Sequence, residues 1–125
     1  LKADKVLLDP PCSALGVRPK LYETRSMRDI LALSAYQRSF LRAAVKILKK
    51  GGVLVYSTCT LSPEENELNV KYAVEGLGLE LEEQKYFYGC KGEKFISQYD
   101  LVQRFYPDLN DTPGFFIARF RKTFD

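Results

Sequence analysis

"VLLDPPCSALG", residues 6–16, decides how this chain is read. A short apolar run ends in an acid, two rigid prolines follow, and then come a cysteine and small residues. Consecutive apolar positions, rather than alternating ones, mark a strand of a parallel sheet covered on both faces, so "KVLLD" (5–9) is predicted as such a strand. A second stretch, "GVLVYSTCT" (52–60), repeats the pattern: an apolar run that ends in a cysteine, Cys59. It predicts a second buried strand over 52–58.

The segment between them supplies a crossover. "SAYQRSFLRAAVKILKKGG" predicts a helix, with Leu41, Ala44, Val45 and Leu48 at helical spacing. Ser34 is its expected cap, and Gln37 makes a capping box with it. Lys49 and Lys50 suit the negative end of the helix dipole, and Gly51 the left-handed C′ position. "SMRDILAL" before it can hold a short helix, and residues 10–25 otherwise read as loop. After the second strand, "LSPEENELNVKYAVEGLG" predicts another helix, capped by Ser62 with Pro63 at N1 and Glu65 completing a box. Leu68, Tyr72 and Val74 give it an apolar face. "LELEEQ" (79–84) alternates leucine with acid, as an edge strand does, and "GFFIARFRK" (114–122) is a final strand. Residues 85–113 read as loops with one short helix near 98–106.

Strand, helix, strand, helix, strand, loop, strand is the order of an α/β layered sheet with flanking helices. In such sheets ligands gather beyond the carboxyl ends of the strands. Asp9 and Cys12 follow the end of the first strand and Cys59 the end of the second. If the two strands are neighbours, all three residues face one pocket.

Bulk properties exclude some classes. With 46% apolar and 28% charged residues among 125, the chain has the make-up of one globular domain or part of one. No apolar run approaches the roughly 20 residues of a membrane span, and the charged start is no signal peptide. Three widely spaced cysteines are an odd count, which argues against a disulfide framework and for a reducing, cytoplasmic compartment. With no histidine and no Cys-x-x-Cys pair, a metal site is not expected. A net charge of +3 permits an acidic partner such as nucleic acid.

Two cysteines and an acid suit one reaction well. C5 of a pyrimidine is a poor nucleophile. Thiolate addition at C6 makes an enamine-like intermediate that attacks an electrophilic methyl group, and a nearby acid helps by hydrogen-bonding the ring. A base then removes the C5 proton and the thiolate leaves, with a second thiol assisting. A thiolate serves without histidine where the local field lowers its pKa, and the helix start after Cys59 is expected to do part of this. The two prolines remove successive N–H donors, which leaves loop carbonyls open to a planar ligand.

"LLDPPCSALG" and "VLVYSTCTLSPEENE" resemble the two cysteine motifs of the RNA cytosine-5 methyltransferases, the family named for the NOL/NOP2/Sun proteins. "GFFIARF" resembles that family's closing strand, and "GVRP" its tRNA-directed branch. The resemblance implies a Rossmann-like, S-adenosylmethionine-dependent methyltransferase fold, present here as the C-terminal portion of a mostly parallel sheet. It implies Cys59 as the nucleophile, Cys12 as the group that helps release product, and Asp9 as a contact to cofactor and cytosine beside Pro10 and Pro11. S-adenosylmethionine would be the cofactor and an RNA, tRNA before rRNA, the substrate. Arg18, Lys20, Arg25 and Arg28, flanking the pocket, are the candidate RNA contacts.

The chain departs from the family pattern in three ways. Ala14 stands where a glycine is usual, and Pro10 where alanine is. "YPDLNDTPGFF" lacks histidines often seen there. The glycine-rich loop and the ribose-binding acids that hold the cofactor are absent. Residues 1–125 are therefore read as the C-terminal part of one catalytic domain, without its cofactor-binding N-terminal part, and inactive alone.

Plainer roles exist for the same residues. Either cysteine can be a small core residue, Asp9 a turn cap, and Arg38, Arg42, Lys46 and Lys49 a solvated helix face. Cys90 has no partner signal. An Asp-Pro-Pro type amino-group methyltransferase is an alternative, although that chemistry uses an aromatic residue where Cys12 stands. A non-catalytic RNA-binding or scaffold domain is another.

Overall fold

The structure, a computed structural model, describes residues 2–14, 26–110 and 112–125. Strand β1 (Ala3–Leu8) is followed by helix α1 (Met27–Ile47) and strand β2 (Leu48–Thr58). Helix α2 (Glu67–Lys71) runs on into a π-helical turn over Tyr72–Gly76. Short strands β3 (Glu80–Glu82), β4 (Cys90–Lys91) and β5 (Gln103–Phe105), helix α3 (Pro107–Asn110) and strand β6 (Phe115–Arg121) complete the order.

The sheet order is β1-β2-β6-β5-β4, with β3 also pairing with β6. β1 and β2 are parallel neighbours joined through α1, as the crossover pattern requires. The remaining pairs, β2–β6, β3–β6, β4–β5 and β5–β6, are antiparallel. The α/β class stands, but the sheet is mixed rather than mostly parallel. The reason is that, among the described residues, no long helix follows α2 to carry the chain back across the sheet, as a parallel crossover needs.

The core lies on one face of this sheet. Leu54 and Tyr56 of β2 and Phe116, Ala118 and Phe120 of β6 pack against Leu41 and Ala44 of α1 and Val70 and Ala73 beyond. β2 is buried on both faces from Gly52 onward. β1 is not: Val6 and Leu8 reach the core, while Lys5 and Leu7 are exposed, Leu7 to 77%. The uninterrupted apolar run therefore does not mean double coverage among the described residues. β1 is an edge strand with one open face.

Other expectations change in detail. α1 is one helix from Met27, so the predicted short helix and the predicted long one are continuous. Its cap is Ser26, whose side chain accepts from Asp29 N–H while Asp29 returns the bond, a complete capping box. Ser34 sits mid-helix and buried, donating to Glu64 O at 2.9 Å and to Asn69 Oδ1 at 3.1 Å. Gly51 has the expected positive φ (82°), but inside a bulge of β2 where the register with β1 shifts, not at a helix C′ position. Lys49 and Lys50 are exposed. The carbonyls at the end of α1 are instead served by the buried Lys122, whose ammonium donates to Val45 O at 2.8 Å and Leu48 O at 2.9 Å. Residues 85–113, read as loops with one helix, contain β4, a 3₁₀ turn at Tyr99–Leu101, β5 and α3.

Candidate active site

Parallel pairing of β1 with β2 aligns their carboxyl ends, Leu8 lying opposite Tyr56. The segments that follow then run side by side. Cys12 Sγ and Cys59 Sγ are 3.0 Å apart, a thiol–thiol hydrogen bond between half-buried residues. One step further on, Ser13 Oγ and Thr60 Oγ1 lie 2.7 Å apart. Asp9 is exposed at the rim of this pair, close enough for its charge to act on Cys59. The structure thus brings together the three residues that the two motifs singled out.

The field at Cys59 is the reverse of the one expected. Burial, the hydrogen bond with Cys12 and the negative charge of Asp9 push its thiol up to about 12. In the ligand-free site Cys59 is a neutral thiol at pH 7, and the start of α2 does not make it a thiolate.

The Pro10–Pro11 segment also differs. Pro10 is buried. The carbonyl of Pro11, expected to lie open, accepts a hydrogen bond from Gln37 Nε2 at 2.9 Å. Ala14 takes φ 59°, in the left-handed region. That conformation explains why a glycine suits this position in the resembling motif.

Behind the thiols lies a buried polar layer that sequence reasoning missed. Glu65, expected to close a capping box, is fully buried and turns to the Cys12 segment. Its Oε1 accepts from Ser13 N–H at 2.8 Å and Gln37 Nε2 at 2.9 Å, and its Oε2 from Ser13 Oγ at 2.6 Å. Tyr56, whose phenol is kept protonated by burial, donates to the Glu65 carbonyl at 2.7 Å. Asn66 holds the Cys59 side: its Oδ1 accepts from Thr58 Oγ1 at 2.6 Å and its Nδ2 donates to Thr60 O at 2.9 Å. Ser62 Oγ accepts the Glu65 N–H at 3.4 Å, but within a turn: α2 begins at Glu67 with Asn66 at its cap position, so Ser62 is not the helix cap and Pro63 is not N1. The available signal was Ser34 and Gln37, polar residues on the same helical stripe as Leu41 and Ala44.

A buried ion pair braces the same loop from its far side. Arg104 of β5 makes two 2.6 Å bonds to Glu67, and its Nη1 donates to Leu61 O at 2.8 Å. Of the candidate RNA contacts, Arg28 is exposed in the first turn of α1, while Arg18, Lys20 and Arg25 lie outside the described residues. Arg38 is half-buried, donating to Asn69 Oδ1 at 2.9 Å and lying over the Tyr72 ring, so this face of α1 is only partly solvated. Cys90 Sγ contacts only Asn110 Oδ1, at 3.7 Å, among the bonds of the described residues. No group of three or more potential metal ligands, and no helix long and apolar enough to cross a membrane, occurs among the described residues.

A mixed α/β sheet thus brings two thiols into contact beyond the ends of adjacent parallel strands. Residues 1–121 match the family model described as 16S rRNA methyltransferase RsmB/F, and the chain belongs to that family. It is 57% identical to a tRNA (cytosine(72)-C(5))-methyltransferase of Pyrococcus horikoshii, over all of this chain and 31% of that protein. It is 41% identical to the rRNA (cytosine-C(5))-methyltransferase NOP2C of Arabidopsis thaliana, over 94% of this chain and 22% of that protein. The crystal structure of NSun6 from Pyrococcus horikoshii with SFG superposes with a TM-score of 0.93, covering all of this chain and 31% of that one. The chain therefore spans about a third or less of the length of these relatives.

The described residues fit one wall of a site for S-adenosylmethionine, the cofactor of this family. Asp9 offers an exposed carboxylate to a donor-bearing ligand, and Pro10 and Pro11 give its backbone a fixed course. No glycine-rich turn follows a strand among the described residues.

Proposed function

We propose that this chain is the cysteine-bearing part of a catalytic domain that methylates C5 of cytosine in RNA. The 3.0 Å contact between Cys12 Sγ and Cys59 Sγ carries the reading, because few reactions other than addition to and release from a pyrimidine use two thiols at one carbon. Bound S-adenosylmethionine supplies an electrophilic methyl group. Cys59 would give its proton to a base and bond to C6 as the thiolate, and the electron pair this places on C5 would take the methyl group, with S-adenosylhomocysteine as the leaving group. Asp9 holds the ring edge from the rim. Loss of the C5 proton then breaks the C6–S bond, and Cys12, in hydrogen-bond contact with Cys59, assists that release. The cytosine must be unstacked, since attack at C6 needs the ring face.

A tRNA substrate is favoured over rRNA because the 57% identical relative is named a tRNA methyltransferase. Arg18, Lys20, Arg25 and Arg28 are assigned to the RNA backbone, and the N-terminal part of the same domain is the chain's structural partner. Two thiols this close would oxidise outside a reducing compartment, which supports a cytoplasmic location.

The test is a denaturing gel of the full-length protein with S-adenosylmethionine and a tRNA pool. Cys12→Ala is expected to trap a covalent protein–RNA adduct, and Cys59→Ala to form none. Methyl transfer that survives both substitutions would overturn the mechanism.

A further inference from the structure

Glu65 has no place in the chemistry above, yet it is a fully buried carboxyl group at the centre of the site. A carboxyl group this deep is retained only with its oxygens satisfied. Here both oxygens are aimed at one segment. Ser13 N–H and Ser13 Oγ bind it directly, and Gln37 Nε2 bridges it to the Pro11 carbonyl. Pro11 and Ser13 flank Cys12, so both neighbours of that thiol are tied to Glu65. The backbone of Glu65 is in turn fixed to β2 by Tyr56, and β2 delivers Cys59. Because the Ser13 hydroxyl proton points to Glu65 Oε2, the Thr60 hydroxyl donates to Ser13 Oγ, which joins the two loops one residue beyond the thiols.

We propose that Glu65 is a positioning residue that docks the Cys12 segment on the Cys59 loop and so sets the thiol–thiol contact. The inference rests on the proposed chemistry only for its consequence in turnover; the placement of the thiols is testable alone. Prolines at 10 and 11 have no N–H with which to anchor the loop. Removing the Glu65 carboxylate therefore frees the very residue that assists release, leaves Ser13 N–H unpaired and leaves Gln37 Nε2 with the Pro11 carbonyl alone.

The experiment compares wild type, Glu65→Ala, Glu65→Gln and Ser13→Ala in the full-length protein, each checked for folding by thermal melting. The first readout is the equilibrium between the Cys12–Cys59 dithiol and trans-4,5-dihydroxy-1,2-dithiane, with the disulfide mapped by peptide mass. Two thiols are oxidised to one disulfide while the reagent's disulfide is reduced to its dithiol, so atoms and electrons balance. Glu65→Ala is expected to lower the equilibrium constant about tenfold, the loss set by the broken buried bonds, with Glu65→Gln intermediate. The second readout is turnover. Glu65→Ala should lower kcat with little change in KM and should accumulate the covalent RNA adduct, as Cys12→Ala does. An unchanged dithiol equilibrium in folded Glu65→Ala overturns the proposal. If Glu65→Ala does not fold, Glu65→Gln and Ser13→Ala are judged by the same equilibrium. If Cys12→Ala itself traps no adduct, the methyltransferase mechanism fails, while the dithiol equilibrium still decides the role of Glu65.

Discussion

Cys59 keeps its proton because three neighbours oppose a negative charge there: apolar burial, the Cys12 thiol and the Asp9 carboxylate. The folded chain therefore binds this proton up to about pH 12. An unfolded thiol releases it near about 8.5. The stabilisation from the neutral thiol is complete below that lower value and is lost as pH rises from it toward the upper one. Reactivity follows the same order. In RNA-free protein, alkylation of Cys59 by iodoacetamide should be slow at neutral pH and still rising at alkaline pH, followed by peptide mass spectrometry. Asp9→Asn should speed it at fixed pH, because one opposing charge is gone. A rate that levels off near neutrality would contradict this. At this scale the two cysteines and Asp9 were legible, since they follow the ends of two apolar runs. The charge state of Cys59 was not, because it depends on what lies across the site rather than on the helix that follows in sequence.

Among the elements, α1 shows the limit of local pattern. Ser34 and Gln37 satisfy the capping-box spacing, and so do Ser26 and Asp29. Only the second pair opens the helix, because Met27–Leu33 already continues the helical turn. A motif of four residues carries no information on whether the chain upstream is helical. Glu65 shows the same limit: its spacing from Ser62 fits a box, while its carboxyl group goes to Ser13 in a segment distant in sequence. β5 hides for another reason. It is three residues long, and its buried side chains are Gln103 and Arg104, polar residues that no apolar pattern flags. Arg104 is tolerated inside because Glu67 meets it with two bonds and Leu61 O with a third. Arg104→Met should cost about 3–5 kcal/mol in urea unfolding, as Glu67 is left buried without its counter-charge and with only the Glu93 N–H to meet it. Arg104→Met with Glu67→Leu should cost much less than the two single changes together. A cost for Arg104→Met well below this range would show that Glu67 finds another partner.

For the whole molecule, strand order at the amino-terminal side was legible and strand direction beyond β2 was not. A long helix between β1 and β2 forces a parallel pair. The later strands are too short for their turns to be told from loops by composition. The result is a sheet with one side carrying the helices and the other carrying Lys5 and Leu7 at the surface. The free border of β1 has a consequence for handling the chain. Among the described residues no strand pairs with that side of β1, and its N–H and C=O groups, with an exposed leucine between them, form a template for a second copy. Expressed without a covering segment, residues 1–125 should associate edge to edge. Light scattering should rise steeply with concentration, and Leu7→Lys should suppress it. A monomer at high concentration would count against this. A strand border open in this way is a seed for insoluble aggregates.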